Sequence, residues 1–194
     1  MSIPRLLNSL ALFAMLTTSF TLCAQSKLKL QVTGVKGALK DNVDIYLQKF
    51  REDDAIPGLS FHSELEREVR TALEALGYYH SEVLIEASAD QPHTITLHVN
   101  AGEPVRIDTA DIQLLGDAAN DEEFLALRQQ QAPAVGKVLH QGQYDGFKQA
   151  LRHLALRKGY FDARFTESRL EVAAELNKAF VHLHFDSGTR YKFG

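Results

Sequence analysis

Cysteine is almost absent from this sequence: Cys23 is the only one among 194 residues. It lies in an N-terminal segment that is predicted to be removed, which would leave the mature chain without any cysteine. Such a chain cannot form disulfides, cysteine-ligated zinc clusters or a thiol nucleophile. Its domains must therefore be held together by their apolar cores alone.

An excess of positive charge is also missing. The 21 lysines and arginines are outnumbered by 25 aspartates and glutamates, and the formal net charge is −4. Nucleic-acid binding depends largely on basic side chains that neutralise phosphates, so we expect no nucleic-acid partner. The hydrophobic fraction of 45% is typical of a folded soluble protein.

Catalytic and metal-binding motifs are missing as well. The sequence contains no HExxH, GxSxG, P-loop or GxGxxG pattern. His182 and His184 are two apart on a predicted strand and share a face, but only Asp186 could join them as a ligand. We therefore predict solvent-facing polar residues there, no catalytic residue, no cofactor and no metal. A periplasmic metal-binding protein or hydrolase is the alternative from another class.

Long hydrophobic runs are absent except for residues 6–20. This run is shorter than the about 20 residues that a membrane-spanning helix needs. A basic residue precedes it and a cleavage region at 22–24 follows, which predicts a secretory signal peptide over residues 1–24. An uncleaved anchor is one alternative. Lipidation of Cys23 is another, disfavoured because leucine stands where a small residue is expected.

The sequence repeats itself. Residues 77–81 (GYYHS) recur 82 positions later as residues 159–163 (GYFDA). Residues 97–107 (LHVNAGEPVRI) recur 86 positions later as residues 183–193 (LHFDSGTRYKF). Two matches at nearly the same offset indicate a tandem repeat of about 80 residues.

Each repeat is predicted to contain one strand, two helices and two further strands. Alternating apolar residues mark the strands, and apolar stripes with helical spacing mark the helices. The predicted strands are 28–32, 81–87 and 94–99 in the first repeat and 106–115, 164–172 and 179–185 in the second. Ser63 with Glu66 predicts the start of the second helix, and Asn120 with Glu123 that of the third. The fold class is therefore α+β, with two helices on one face of a small sheet in each unit.

An aromatic pair follows the second helix of each repeat: Tyr78 and Tyr79 in the first, Tyr160 and Phe161 in the second. We predict that at least one ring of each pair enters a core, and that the exposed partner contacts a neighbouring domain or a client polypeptide. The connection at 100–104 is short and contains a proline, which predicts limited bending between the repeats.

The order and spacing of short motifs resemble POTRA domains, the polypeptide-transport-associated modules of outer-membrane β-barrel assembly factors. The motifs are LQVTG at 30–34, ALGYY at 75–79, GKVL at 136–139, ALRKGYF at 155–161, NKAF at 177–180 and SGTRYKFG at 187–194. Within the BamA/TamA superfamily, the pattern is most similar to the TamA family. The resemblance implies two tandem POTRA domains at 25–102 and 103–188, each with two helices on a three-stranded mixed sheet. It also implies the beginning of a third domain at 189–194, followed by a C-terminal barrel that this sequence does not contain.

The resemblance further implies a periplasmic arm, tethered to the outer membrane, that binds polypeptides during assembly of outer-membrane proteins and autotransporters. The implied partners are TamB, the inner-membrane partner of the family, at the first domain, and unfolded clients. Membrane contact would be made only by the barrel. An unpaired strand edge can add a strand from another chain, and the resemblance places this edge on the second strand of each unit. The expected site residues are Glu82, Val83, Leu84, Ile85, Glu86, Arg164, Thr166 and Ser168. The POTRA region of a two-partner-secretion transporter is the alternative within the superfamily.

Overall fold

The computed structural model describes residues 28–52, 59–88, 90–91 and 93–191. The predicted signal peptide, the alternative lipidation at Cys23 and the last three residues of the predicted third unit lie outside the described residues. Within the described part, no helix is both long and apolar enough to span a bilayer.

Both repeats fold into β-α-α-β-β units. Domain 1 consists of β1 (Lys29–Thr33), α1 (Ala38–Glu52), α2 (Leu59–Glu74), β2 (Glu82–Ala87) and β3 (Thr94–Asn100). Domain 2 consists of β4 (Arg106–Leu115), α3 (Glu122–Gln131), α4 (Gln141–Lys158), β5 (Arg164–Ala173) and β6 (Lys178–Asp186), with 3-10 turns at Gly116–Asn120 and Ala174–Leu176. The predicted α+β class and element order are confirmed.

Each domain contains a three-stranded mixed sheet whose last strand lies in the centre. In domain 1 the order is β1-β3-β2, with β1 parallel and β2 antiparallel to β3. Domain 2 repeats this arrangement as β4-β6-β5. Buried and partly exposed residues alternate along β6, as expected for a sheet that is covered by helices on one face only.

An apolar core fills the space between sheet and helices in each domain. Fully buried side chains of domain 1 include Val43, Leu47, Leu65, Val69 and Leu97, and those of domain 2 include Phe124, Phe147, Leu151, Leu183 and Phe185. Burial of each such side chain contributes about 1.5–3 kcal/mol, which the ordering of the chain largely offsets. The buried residues of the two domains form two separate cores.

Two predicted helix starts are wrong. Helix α2 already includes Leu59, so Ser63 lies inside the helix and does not cap it. The cause is Phe61, which is buried against Phe50 and brings the residues before Ser63 into the helix. Helix α3 is capped by Asp121, whose carboxylate accepts a hydrogen bond from the N–H of Glu123 at 3.0 Å, because the preceding 3-10 turn occupies Asn120.

A backbone contact joins the two domains at the end of α2. Val105 N donates to Gly77 O at 2.8 Å, and Gln141 N donates to Ala75 O at 3.0 Å. Gly77 has a φ of +91°, and a Cβ there would lie 2.4 Å from the carbonyl oxygen of Leu139. Only glycine permits both this conformation and this approach of two backbones.

Side chains extend the contact between the domains. Gln141 Nε2 donates to the hydroxyl of Tyr79 at 2.9 Å. His80 Nε2 lies 2.7 Å from the carbonyl oxygen of Ala174, and it must donate because a carbonyl oxygen only accepts. The end of α2 is therefore held by domain 2 at several points.

The two aromatic pairs have different surroundings. Tyr78 packs against the core of domain 1, whereas Tyr79 packs against the core of domain 2. In the second pair, Tyr160 is buried, while Phe161 is 53% exposed and contacts the ring of Tyr191. The prediction that at least one ring of each pair enters a core is confirmed.

Candidate functional site

The candidate site consists of the outer edges of β2 and β5. Each strand pairs with one neighbour, the central strand of its sheet. Within the described part of the chain, no other strand pairs with either one. An edge of this kind presents backbone N–H and C=O groups that a strand from another chain can bind.

The five predicted residues of domain 1 all lie on β2. Val83 and Ile85 are half-buried and pack against the core, whereas Leu84 is 60% exposed between Glu82 and Glu86 on the opposite face. The strand therefore presents an isolated apolar side chain between two carboxylates.

The hydrogen-bond register decides which residues of β2 face the open edge. Ser88 N donates to Thr94 O at 3.0 Å, so these two residues form a hydrogen-bonded pair next to the strand. Hydrogen-bonded pairs alternate along an antiparallel ladder, and the register is regular from Glu82 to Ala87. The backbone groups of Val83 and Ile85 are therefore directed away from β3, toward the open edge.

The three predicted residues of domain 2 lie on β5, but they do not share a face. A strict period of two would place Arg164, Thr166 and Ser168 on one side. The register shifts between Phe165 and Glu167, which makes Thr166 an extra residue in a β-bulge. Ser168 consequently faces the helices, where its hydroxyl lies 3.2 Å from that of Tyr144.

The first strand of domain 2 is a less accessible edge than β5. Residues 136–139, which precede α4, run beside its start: Leu139 N donates to Val105 O and Ile107 N donates to Lys137 O, both at 2.9 Å. Val138 forms a bridge with Arg106 within this contact. Since part of β4 is covered, β5 offers the longer unpaired edge of this sheet.

Helix α4 runs beside β5 and carries basic side chains along it. Lys148 Nζ lies 4.9 Å from the ring centre of Tyr144 and 5.9 Å from that of Phe165. Arg152 Cζ lies 5.0 Å from the ring centre of Phe165. These cation–π contacts hold two positive charges close to the edge strand. Sequence reasoning missed both residues, since helical spacing from Tyr144 was their only signal.

The histidines with a predicted solvent-facing role lie on the outer face of the second sheet. His184 Nε2 is 2.7 Å from Asp111, and its Nδ1 is 3.3 Å from Glu167. Asp186 instead accepts a hydrogen bond from the N–H of Gly188 at 2.9 Å. The described residues contain no cluster of three or more His, Cys, Asp or Glu that could hold a metal ion.

This network lowers the pKa of the Asp111 carboxyl. The hydrogen bond from Gln113, followed by the one from His184, holds the pKa of Asp111 below its ordinary value. Hydrogen bonds to the charged form have this effect because they stabilise the carboxylate. The arrangement links β4, β5 and β6 across their outer face.

Comparison with known proteins identifies the fold of domain 1. Residues 29–101 match the family model of POTRA domain TamA domain 1. These residues form a POTRA domain of the TamA type. Domain 2 repeats its element order and sheet topology, so the described chain carries two copies of this fold in tandem.

Several solved structures are similar to this chain at low identity. POTRA domains 3–5 of BamA from Haemophilus influenzae are 15% identical, with a TM-score of 0.44 over 85% of this chain and 67% of that chain. POTRA domains 1–2 of Omp85 from Anabaena are 13% identical, with a TM-score of 0.39 over 86% of this chain and 96% of that chain. CdiB from Escherichia coli is 10% identical, with a TM-score of 0.34 over 92% of this chain and 30% of that chain.

Proposed function

We propose that this chain is the periplasmic part of an outer-membrane assembly factor and binds polypeptides by adding their strands to β2 and β5. The observation that carries this proposal is the unpaired edge on the second strand of both POTRA domains. In the full-length protein the arm would be tethered to the outer membrane by a C-terminal barrel. It would then act in the assembly of outer-membrane proteins and autotransporters.

Backbone pairing suits a module that meets many unfolded chains. A strand that joins a sheet edge is bound through its main-chain groups, so affinity depends little on its sequence. Side chains at alternate positions then contact the surface beside the edge and supply selectivity. An unfolded outer-membrane protein consists largely of segments that are able to form such strands.

The two domains would bind different partners. Domain 1 would lie farther from the membrane than domain 2, which makes β2 the expected docking edge for the inner-membrane partner TamB. Its exposed Leu84 provides an apolar contact beside the open backbone groups of Val83 and Ile85. Domain 2, nearer the barrel, would bind client polypeptides along β5.

A matched pair of variants tests the docking edge of domain 1. Ile85→Pro removes the side chain and an N–H that is directed to the open edge, whereas Ile85→Ala removes the side chain and keeps the N–H. We expect Ile85→Pro to weaken TamB binding at least tenfold relative to Ile85→Ala, since one ladder bond and the fit of the added strand are lost. The measurement is the Kd by calorimetry, with circular dichroism of both variants to verify folding. Equal affinities of two folded variants would refute strand addition at β2.

A further inference from the structure

The surface between α4 and β5 is built to present positive charge to whatever lies beside the edge. Tyr144, Lys148 and Arg152 are spaced four residues apart, so they form one stripe along the helix. Both cations lie against aromatic rings, at 4.9 Å and 5.0 Å from the nearest ring centres. Their heads are therefore held in place near the strand, which limits the entropy lost when an anion binds.

Little negative charge on the protein itself neutralises this stripe. Lys148 lies 3.8 Å from Asp145, a carboxylate that is 62% exposed. Within the described part of the chain, Arg152 forms no ion pair with an acidic residue. An ion pair at such a distance with an exposed carboxylate contributes little, so the surface remains attractive to a further carboxylate.

The equivalent surface of domain 1 is neutral. The positions 82 residues earlier are Glu66 and Arg70 on α2. Arg70 Nη2 donates to Glu66 at 2.8 Å and Arg70 Nε donates to the same oxygen at 3.0 Å. Arg70 Nη1 also donates to the carbonyl oxygen of Ser81. Both repeats therefore have a helix beside the edge, but only in domain 2 are the cations of that helix, Lys148 and Arg152, available to bind a carboxylate of a partner.

The bulge in β5 places Ser168 on the same side of the sheet as these cations. Ser168 pairs with the buried Leu183 and faces the helices, yet its own side chain is exposed. A strand added to β5 would lie about 4.8 Å farther out. Every second side chain of that strand would then lie on the same side as Lys148 and Arg152.

We propose that domain 2 selects client strands that carry carboxylates on the side facing α4. This inference rests on the proposed role of β5 as a strand-adding edge. The stripe of Tyr144, Lys148 and Arg152 supplies charge complementarity, and the hydroxyl of Ser168 supplies a hydrogen-bond partner. Backbone pairing would give affinity, and the stripe would distinguish acidic strands from neutral ones.

Two synthetic peptides test this selection on the whole chain. Both are capped nonapeptides that alternate threonine with valine, in which two valines are replaced by glutamate in one peptide and by glutamine in the other. We expect the glutamate peptide to bind about three- to tenfold more tightly at low salt, given the strength of exposed ion pairs. The preference should disappear in Lys148→Gln/Arg152→Gln and at about 0.5 M salt, where screening is strong.

The readouts separate this inference from the proposed function. NMR chemical shifts of β5 amides report whether a peptide occupies the edge, and titration gives the Kd of each. Lys36→Gln/Arg128→Gln removes the same charge from exposed positions elsewhere and should keep the preference. Equal affinities with shifts on β5 would overturn the selection and leave strand addition standing. If neither peptide changed the chemical shifts of the β5 amides, both strand addition at β5 and the selection would be overturned. A preference that survives in Lys148→Gln/Arg152→Gln would overturn the role of these two cations.

Discussion

The two domains share an element order and a sheet topology, yet the surfaces beside their open edges differ. In domain 1 the residues facing the edge from the helix are Glu66 and Arg70, which pair with each other. In domain 2 they are Lys148 and Arg152, which lie on aromatic rings. Both copies of the fold therefore have an unpaired strand edge, while the replacement of Glu66 by Lys148 at the equivalent position changes the charge beside it.

The cores differ in a related way. Domain 2 has an aromatic cluster in which Phe124 contacts Phe185 and Tyr160, both at 5.9 Å between ring centres. In the described part of domain 1, Phe50 and Phe61 form an edge-to-face pair at 5.5 Å in a largely aliphatic core. Large rings bury more area per residue, so the stability of domain 2 depends on fewer side chains than that of domain 1.

The largest effect is expected from Phe124→Ala. Phe124 is fully buried at the centre of the aromatic cluster, so its removal should lower the free energy of unfolding of domain 2 by about 3–5 kcal/mol. Phe61→Ala is the matched change in domain 1; Phe61 is 8% exposed, and about 2–3 kcal/mol is expected because its site can collapse more readily. Urea unfolding followed by NMR signals of Leu97 and Leu183 measures each domain. Similar losses in both would show that the cores do not differ in this respect.

An intermediate effect is expected at the glycines that end α2 and α4. Tyr191 N donates to Gly159 O at 3.0 Å, which repeats the contact of Val105 N with Gly77 O. A Cβ would lie 2.4 Å from Leu139 O at Gly77 but 3.1 Å from Tyr191 O at Gly159. Both positions have positive φ, so each alanine variant carries strain of about 1–2 kcal/mol.

The difference between the two alanine variants isolates the contact between the domains. Gly77→Ala must also displace the backbone of Leu139, so we expect a total loss of about 3 kcal/mol against about 1–2 kcal/mol for Gly159→Ala. Residual dipolar couplings should report altered domain orientation in Gly77→Ala alone. An unchanged orientation in that variant would mean that the joint tolerates the extra methyl group.

Sequence reasoning predicted the tandem fold because its signals are local or repeated. The strand and helix periods, and the recurrence of residues 77–81, determine the order of elements. The bulge at Thr166 could not be predicted, since neither glycine nor proline marks it and it depends on pairing with β6. The cover of β4 by residues 136–139 likewise depends on contacts between distant parts of the chain.

The candidate site was only partly predictable for the same reason. The positions of β2 and β5 follow from the pattern and the family resemblance, but whether their edges bind polypeptides stays a prediction. The charged stripe could not be predicted, because the sequence does not show which helix lies beside which strand. Lys148 and Glu66 occupy equivalent positions in the repeat, and their opposite charges acquire meaning only once α2 and α4 are placed next to the edges.

The smallest effect is expected from removing the charge of one ion-paired aspartate in each domain, Asp121 in domain 2 and Asp44 in domain 1, and it should depend on pH. In domain 2, burial alone would raise the pKa of Asp121, but hydrogen bonds from Lys158 and from the N–H of Glu123 outweigh it, and the pKa lies below its ordinary value. In domain 1 the pKa of Asp44 is also lowered: burial raises it, while Lys40 and Arg51 lower it more. A carboxyl with a lowered folded-state pKa stabilises the fold above its unfolded pKa of about 4 and loses that contribution as the pH falls through the folded pKa.

Asn is the matched substitution because its amide oxygen can still accept a hydrogen bond, while the charge and one acceptor oxygen are removed. At pH 7, Asp121→Asn should lower the free energy of unfolding of domain 2 by about 1 kcal/mol, and the difference from the unsubstituted chain should shrink toward zero by about pH 2–3. Asp44→Asn should cost less, since the Asp44 side chain is 27% exposed and that of Asp121 is 15% exposed. Urea unfolding at both pH values measures the two differences. If the cost of Asp121→Asn were the same at pH 3 as at pH 7, it would arise from packing or capping, and the charge of Asp121 would contribute nothing to the contrast between the domains.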